Sequence, residues 1–426
     1  MGARDGARAA HAGRVTPATP FVAASGSIHA DRRLGVLDGL RGVAVLLVLW
    51  YHVWEISFLS APVSWLEFVP ETGFVGVHLF FFLSGFVIAV PFIRALLAGT
   101  AQPSWKHFAW RRGIKIGPSY LLCIAVAYAI GYAQQQPGAS TLPDVVTHLL
   151  FVHTWFPQRY GTITGVLWTL SVEVEFYCIF PAIWWCFRRT PWLTAAGMIL
   201  IAWAWRAWMA HCCLTTLFPY YEENLPGYLD IFAFGTLAAY VFTRYGERWK
   251  TSAWRFAGPV AALAGIGWLA YLLQSLYAAR FAPQWAGVWQ IDRRPLLGAG
   301  FAIVALGFLA SPKWWQALLD NPPLRYLAAI SYNLYLYHQM IARELLAQHI
   351  PGYFGDPHDD YGWQIRYTYV AGAATVAQAT LVTYLFERPL LRLEPPRLVR
   401  TPNGALRVLW STPANEAAVS SKPRSP

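Results

Sequence analysis

The strongest constraint in this chain is a succession of long apolar segments. A helix needs about 20 mostly apolar residues to cross a hydrocarbon core. Ten stretches approach that length: roughly 35–54, 73–93, 117–134, 166–187, 191–210, 227–243, 255–274, 296–311, 324–347 and 365–387. Composition agrees, with 56% hydrophobic and 13% charged residues, against about 25% charged in ordinary soluble domains. A soluble fold would struggle to cover so much apolar surface, whereas lipid is itself an apolar solvent. The expected fold class is all-α, a polytopic membrane bundle of about ten transmembrane helices. The stretch 143–157 is too short to span and reads as an interfacial or re-entrant piece. Three regions follow: a flexible basic N-terminal tail over 1–33, a membrane domain over 34–390, and a Pro-rich basic tail over 391–426. The first of these lacks the apolar core of a cleavable signal peptide.

The net charge of +11 is spread between the apolar segments and not gathered in one patch, which argues against a nucleic-acid partner. Basic residues in short loops mark the cytoplasmic side. An inward N-terminus places Arg94, Lys106, Arg111, Arg112, Lys115, Arg188, Arg189, Arg244, Arg248, Lys250, Arg255, Lys313 and Arg325 inside, together with both tails. Outside it leaves Arg159, Arg280, Arg293 and Arg294, with the acids Glu67, Glu71, Glu222, Glu223, Asp356, Asp359 and Asp360. Both termini are therefore expected to be cytoplasmic. The five cysteines (Cys123, Cys178, Cys186, Cys212, Cys213) have no metal-ligand spacing and read as small hydrophobes without a disulfide framework.

Ionisable side chains are expensive inside a membrane and mark candidate sites. In the first segment, "LDGLRGVAVLLVLWYHVWE", Arg41 and His52 are 11 residues apart and return to nearly the same helix face. Their separation along the axis is ~16 Å, and the small residues between them, Val45 and Val48, could line a tunnel. The second segment carries Gly73, Gly76 and Gly85 for close helix contact and Ser84 for a hydrogen bond across helices. His78 in this segment is equally well read as a packing residue. Arg111, Arg112 and Lys115 cluster before the third segment and suit the phosphates of coenzyme A. The positive-inside pattern alone would also account for them. The fourth segment, "LWTLSVEVEFY", contains Glu173 and Glu175, which point about 200° apart. Glu175 shares a side with Ser171 and Trp168, and Glu173 lies with Tyr177. In the ninth, Ser331, Tyr335 and His338 form a polar stripe that must face the bundle.

A hydroxyl becomes a good nucleophile once a base takes its proton, and imidazole is well matched to that task near neutral pH. An acyl-transfer intermediate also needs donors or a cation for its oxyanion. A deep His52, a carboxylate to hold its tautomer, hydroxyl donors and an inner basic cluster for a phosphate-bearing donor make one coherent set. No hydrolase nucleophile elbow, P-loop, Rossmann fingerprint or HExxH metal motif is present. A proton-coupled transporter or flippase is the rival reading of the same charges, without the repeat halves such proteins show.

Taken in order, the motifs Arg41-x10-His52, "HLFFFLSGF", "RRGIKIGPSY", "WTLSVEVEFY", "FAFG", "ISYNLYLYH" and "ERP" resemble the integral-membrane acyltransferase family 3, from about Leu34 to Pro389. Its members acylate surface polysaccharides, lipopolysaccharide, some nodulation factors and some macrolides. The resemblance implies acyl-CoA, usually acetyl-CoA, as co-substrate, with no metal. It also implies a bacterial inner-membrane location and a glycan or lipid-linked sugar acceptor across the bilayer, with a small molecule such as a macrolide as the alternative. It carries onto Arg41 and His52 as the central pair, with His52 the base, and onto Arg111, Arg112, Glu173 and Glu175 in support. Lys115 departs from the family's usual second arginine. The esterase-like C-terminal domain of some members is not expected after the short basic tail.

Overall fold

The computed structural model describes residues 34–136, 141–213, 223–250, 253–280, 283–395, 397–400 and 406–409. All ten expected segments fall on helices. The principal ones are α1 (Gly35–Ser57), α2 (Gly76–Ala98), α3 (Trp105–Ala129), the short α4 (Leu142–Leu149), α5 (Trp168–Phe187), α6 (Pro191–Cys213), α7 (Leu229–Tyr245), α8 (Trp254–Arg280), α9 (Arg294–Ala310), α10 (Pro322–Ala347) and α11 (Tyr361–Leu381). Among the described residues, seven helical stretches are long and apolar enough to cross a membrane: Gly35–Ser57, Gly73–Ala98, Trp168–Phe187, Pro191–Cys212, Leu225–Trp249, Arg255–Ala279 and Tyr361–Leu390. This is a multi-pass membrane protein.

The three remaining segments fall short for visible reasons. Helix α9 is apolar but has only 17 residues. Helix α3 carries Lys106, Arg111, Arg112 and Lys115, and α10 carries Ser331, Asn333, Tyr335, His338 and Gln339 on buried positions. A helix whose polar groups all face protein does not need the hydropathy of one facing lipid.

Local chemistry sets several boundaries. Pro322 and Pro323 open α10, and the Asn321 side chain accepts from the Leu324 amide at 3.0 Å, satisfying a donor the first turn leaves orphaned. Asp360 caps α11 through the Trp363 amide at 3.0 Å. Beyond α11 the chain widens into a π-helical stretch, Val382–Glu387, which buries Thr383 and Glu387 against α10.

Close backbone approach holds the bundle together. Helix α2 packs along α7, and α1 packs along α10 and α2. A Cβ at Gly85 would lie 2.5 Å from the Phe232 carbonyl oxygen, and one at Gly76 2.4 Å from that of Ala44. Glycines thus let the helices touch backbone to backbone, as membrane bundles do in place of hydrophobic collapse.

Two sequence expectations are revised. Cys212 is disulfide-bonded, while Cys123, Cys178 and Cys186 are free, so not all five cysteines act as small hydrophobes. The segment expected to be a C-terminal tail contains a short antiparallel pair, β1 (Arg397–Arg400) with β2 (Leu406–Leu409). The N-terminal tail over 1–33 lies outside the described residues.

Candidate active site

Helices α1, α2, α3, α5 and α10 enclose a cavity of about 130 Å³. Its polar lining comprises Arg41, Ser84, Arg112, Lys115, Thr169, Glu173, Tyr177, Ser331, Tyr332 and Tyr335; its apolar wall includes Phe80, Phe81, Val87 and Leu170. Seven residues singled out in the sequence thus meet in one space: Arg41, Ser84, Arg112, Lys115, Glu173, Ser331 and Tyr335.

Helical spacing explains which cations reach it. Arg112 and Lys115 are three residues apart on α3 and share a face. Arg111 turns away by about 100° and donates its Nη1 to the Leu391 carbonyl at 2.9 Å. The Arg112 guanidinium stacks over the rings of Tyr177 at 5.4 Å and Phe108 at 5.8 Å, which orients it without neutralising it. Lys115 is ion-paired with Glu387, whose other oxygen accepts from Asn333 Nδ2 at 2.6 Å. Glu173 accepts from Ser84 Oγ at 2.6 Å and from the Tyr177 hydroxyl. Among the described residues neither Arg41 nor Arg112 has an ion-pair partner.

The other end of α1 carries His52. It does not line this cavity, and the face of α1 between the two ends is closed at Val45 and Val48. Val45 and Val48 are fully buried, and Val45 packs with Ile330 and Leu334 of α10. Small side chains on that face have filled the seam between the helices. Among the described residues no carboxylate hydrogen-bonds to the imidazole. His52 Nδ1 lies 3.0 Å from the Val48 carbonyl oxygen and 3.0 Å from His338 Nε2. His338 is fully buried, and its Nδ1 donates to the Tyr335 carbonyl at 2.7 Å. The link between cavity and imidazoles is Tyr335, whose ring lies 5.6 Å from that of His338. Its hydroxyl accepts from Thr169 Oγ1 at 3.0 Å and donates to the Val166 carbonyl at 3.1 Å.

The structure places the remaining sequence candidates elsewhere. Glu175 faces away from Glu173 and accepts from Trp155 Nε1 at 2.8 Å. Trp168 stacks on Tyr228, 5.8 Å between ring centroids. The short α4 and the following turn bind α5 from the side: His153 Nδ1 meets Ser171 Oγ at 3.1 Å, and Thr162 Oγ1 donates to Asp144 Oδ1 at 2.6 Å. Sequence reasoning missed Thr169, Tyr332 and Asn333 as site neighbours. Thr169, beside Trp168, was the one within reach, because it is four residues before Glu173 and so on its face.

With this geometry in hand, relatives can be compared. The model of the family described as "Acyltransferase domain" (acyltransferase 3) matches residues 34–385. The chain belongs to the acyltransferase 3 family. It is 31% identical over 207 residues to acyltransferase MdmB of Streptomyces mycarofaciens, covering 46% of this chain and 50% of that one. It is 25% identical over 391 residues to nodulation protein 10 of Rhizobium leguminosarum bv. viciae, covering 86% and 95%. It is 24% identical over 322 residues to peptidoglycan O-acetyltransferase OatA of Listeria monocytogenes, covering 72% and 49%. The chain thus spans about half the length of MdmB and OatA and nearly all of nodulation protein 10. No solved structure matches it.

Proposed function

We propose that this protein is a membrane O-acyltransferase that moves an acyl group, acetyl in the simplest case, from acyl-CoA to a hydroxyl of a cell-surface or lipid-linked sugar. The observation that carries this is the pair of guanidiniums, Arg41 and Arg112, lining a cavity between helices without an ion-pair partner among the described residues. Three cations line it with one carboxylate, Glu173, and Lys115 is paired with Glu387, which does not line it. A cavity left cationic among membrane helices suits an anionic ligand, and guanidinium groups take phosphate bidentately.

The base lies at the other end of α1, ~16 Å further along the axis. That separation suits a donor with phosphates at one end and a reactive carbonyl at the far end of a long arm, which is the layout of acyl-CoA, the arm passing by way of Tyr335 and not along the closed face at Val45 and Val48. His52 takes the proton of the acceptor hydroxyl as the oxygen attacks the thioester carbonyl. The C–S bond then breaks, and the departing thiolate takes that proton back. With the basic helix ends inside, the donor enters from the cytoplasm and the acceptor meets His52 from the outer side. MdmB, nodulation protein 10 and OatA are by name an acyltransferase, a nodulation protein and a peptidoglycan O-acetyltransferase, which supports acyl transfer and leaves the acceptor to experiment.

The test supplies labelled acetyl-CoA to membranes containing the protein or its His52→Ala variant at equal expression. Label on glycan or lipid-linked sugar is expected with the native protein and is expected to fall by about 1,000-fold with the variant. Label on an added macrolide but on no sugar would move the acceptor to small molecules. Equal labelling by both proteins would remove His52 from the chemistry.

A further inference from the structure

We infer that His338 is a positioning residue, a neutral hydrogen-bond acceptor that fixes the tautomer of His52 and leaves its Nε2 lone pair for the acceptor hydroxyl. This rests on the reading of His52 as the base. Proton bookkeeping along the contacts leads to it. A backbone carbonyl can only accept, so His338 Nδ1, 2.7 Å from the Tyr335 oxygen, carries a proton. In neutral imidazole the other nitrogen is then the acceptor. His338 Nε2 therefore presents a lone pair to His52 Nδ1 at 3.0 Å. His52 Nδ1 also lies 3.0 Å from the Val48 carbonyl, which again requires a proton on Nδ1. Both constraints put the His52 proton on Nδ1 and the lone pair on Nε2. A proton on His338 Nε2 would face the one on His52 Nδ1, so the network admits this one arrangement of neutral rings.

The arrangement matters when His52 takes the hydroxyl proton. It becomes an imidazolium with both nitrogens protonated, and its Nδ1–H bond to His338 becomes charge-assisted and stronger. The hydroxyl O–H bond breaks, its proton moves to His52 Nε2, and the thiolate later receives it; His338 gains and loses nothing. In serine hydrolases a buried carboxylate does this orienting work. A neutral imidazole does it here without an anion among membrane helices, where an unpaired charge is costly. His338 is fully buried and half-buried His52 is its ring neighbour, 4.6 Å between centroids at 74°, so the acceptor is rigidly presented.

The experiment compares native protein with His338→Leu, His338→Gln and His52→Ala, measuring kcat and the donor KM for acetyl-CoA separately. Glutamine can place its amide oxygen near the former Nε2 and accept the same bond. The expected result is a kcat about 100-fold lower in His338→Leu with donor KM unchanged, and recovery to within about 10-fold of native in His338→Gln. An unchanged donor KM shows that the bundle and its cationic cavity are intact, and His338→Gln carries the test should the leucine variant fail to fold. Native kcat in His338→Leu alongside an inactive His52→Ala would overturn the positioning role and leave the base assignment standing. A kcat lowered equally, about 100-fold, in the leucine and glutamine variants with unchanged donor KM would also overturn it, since glutamine supplies an acceptor. Full activity in His52→Ala would instead bring down the base reading itself.

Discussion

Fully buried Arg206 and the half-buried Arg41 and Arg112 make opposite use of the same side chain in this bundle. On α6 and α7, Arg206 and Asp230 are both fully buried, with Nη2 2.7 Å from Asp230 Oδ2. Arg206 also donates to the Gly227 carbonyl, and Asp230 Oδ1 accepts from the Ile231 amide at 2.8 Å. Charge is matched within the protein, the guanidinium against the carboxylate. On α1 and α3, Arg41 and Arg112 line a cavity and have no ion-pair partner among the described residues. Removing one member of the matched pair should cost the fold, and removing one of the unmatched cations should cost the ligand.

The largest expected effect breaks the matched pair. Arg206→Leu leaves the Asp230 carboxylate buried alone, a loss of about 3–5 kcal/mol of stability, while the double variant Arg206→Leu/Asp230→Leu recovers most of it. Thermal unfolding in detergent measures both. A double variant as unstable as the single would mean that the pair itself, and not the orphaned charge, supports the fold.

Next come the unmatched cations. Arg41→Gln and Arg112→Gln should leave the melting temperature unchanged and raise the donor KM, each by about 1.5–3 kcal/mol in binding, or roughly 10- to 100-fold. Arg111→Ala sharpens the contrast. Its guanidinium is bound to the Leu391 carbonyl outside the cavity, so donor KM should stay within about twofold, with a stability loss of about 1 kcal/mol. Equal KM effects from Arg111 and Arg112 would put the phosphate site outside the cavity.

These residues also show how far the sequence could be read. Apolar run length found every long helix, because lipid and core impose the same demand on a spanning segment. Periodicity correctly sent Glu173 and Glu175 to opposite sides. It could equally have separated Arg111 from Arg112 and joined Arg112 to Lys115 on one face. Their partners were out of reach. Ser84 and Glu173 are 89 positions apart, Lys115 and Glu387 are 272, and His52 and His338 are 286. Such contacts depend on which helices neighbour one another, and no local pattern encodes that. That the face at Val45 and Val48 is closed was out of reach for the same reason. The face was read as small, but the packing of α10 against it had no signature in α1 alone.

The smallest expected effect concerns a charge that the fold excludes altogether. His153 lies in the turn after α4, buried beside the parallel ring of His148 at 3.8 Å between centroids. Burial, and then the neighbouring His148, push its pKa well below the usual histidine value. The folded protein therefore holds it neutral, while the unfolded chain protonates near pH 6.5. Folded pKa below unfolded pKa means that stability is full above pH 6.5 and declines as pH falls beneath it. Between pH 7 and pH 6 the loss from this one group is about 0.7 kcal/mol. Asp144 adds nothing in that window. Its pKa is lowered, against a burial effect that alone would raise it, by hydrogen bonds from His148 and Thr162, so its contribution is lost only as pH falls below about 4. His153→Asn retains a donor for Ser171 and cannot titrate. The native protein's melting temperature should fall relative to the variant's on acidification from pH 7 to pH 5, whatever their offset at pH 7. Parallel curves would show that His153 takes up its proton alike in the folded and unfolded chain, and that the turn against α5 is indifferent to acid.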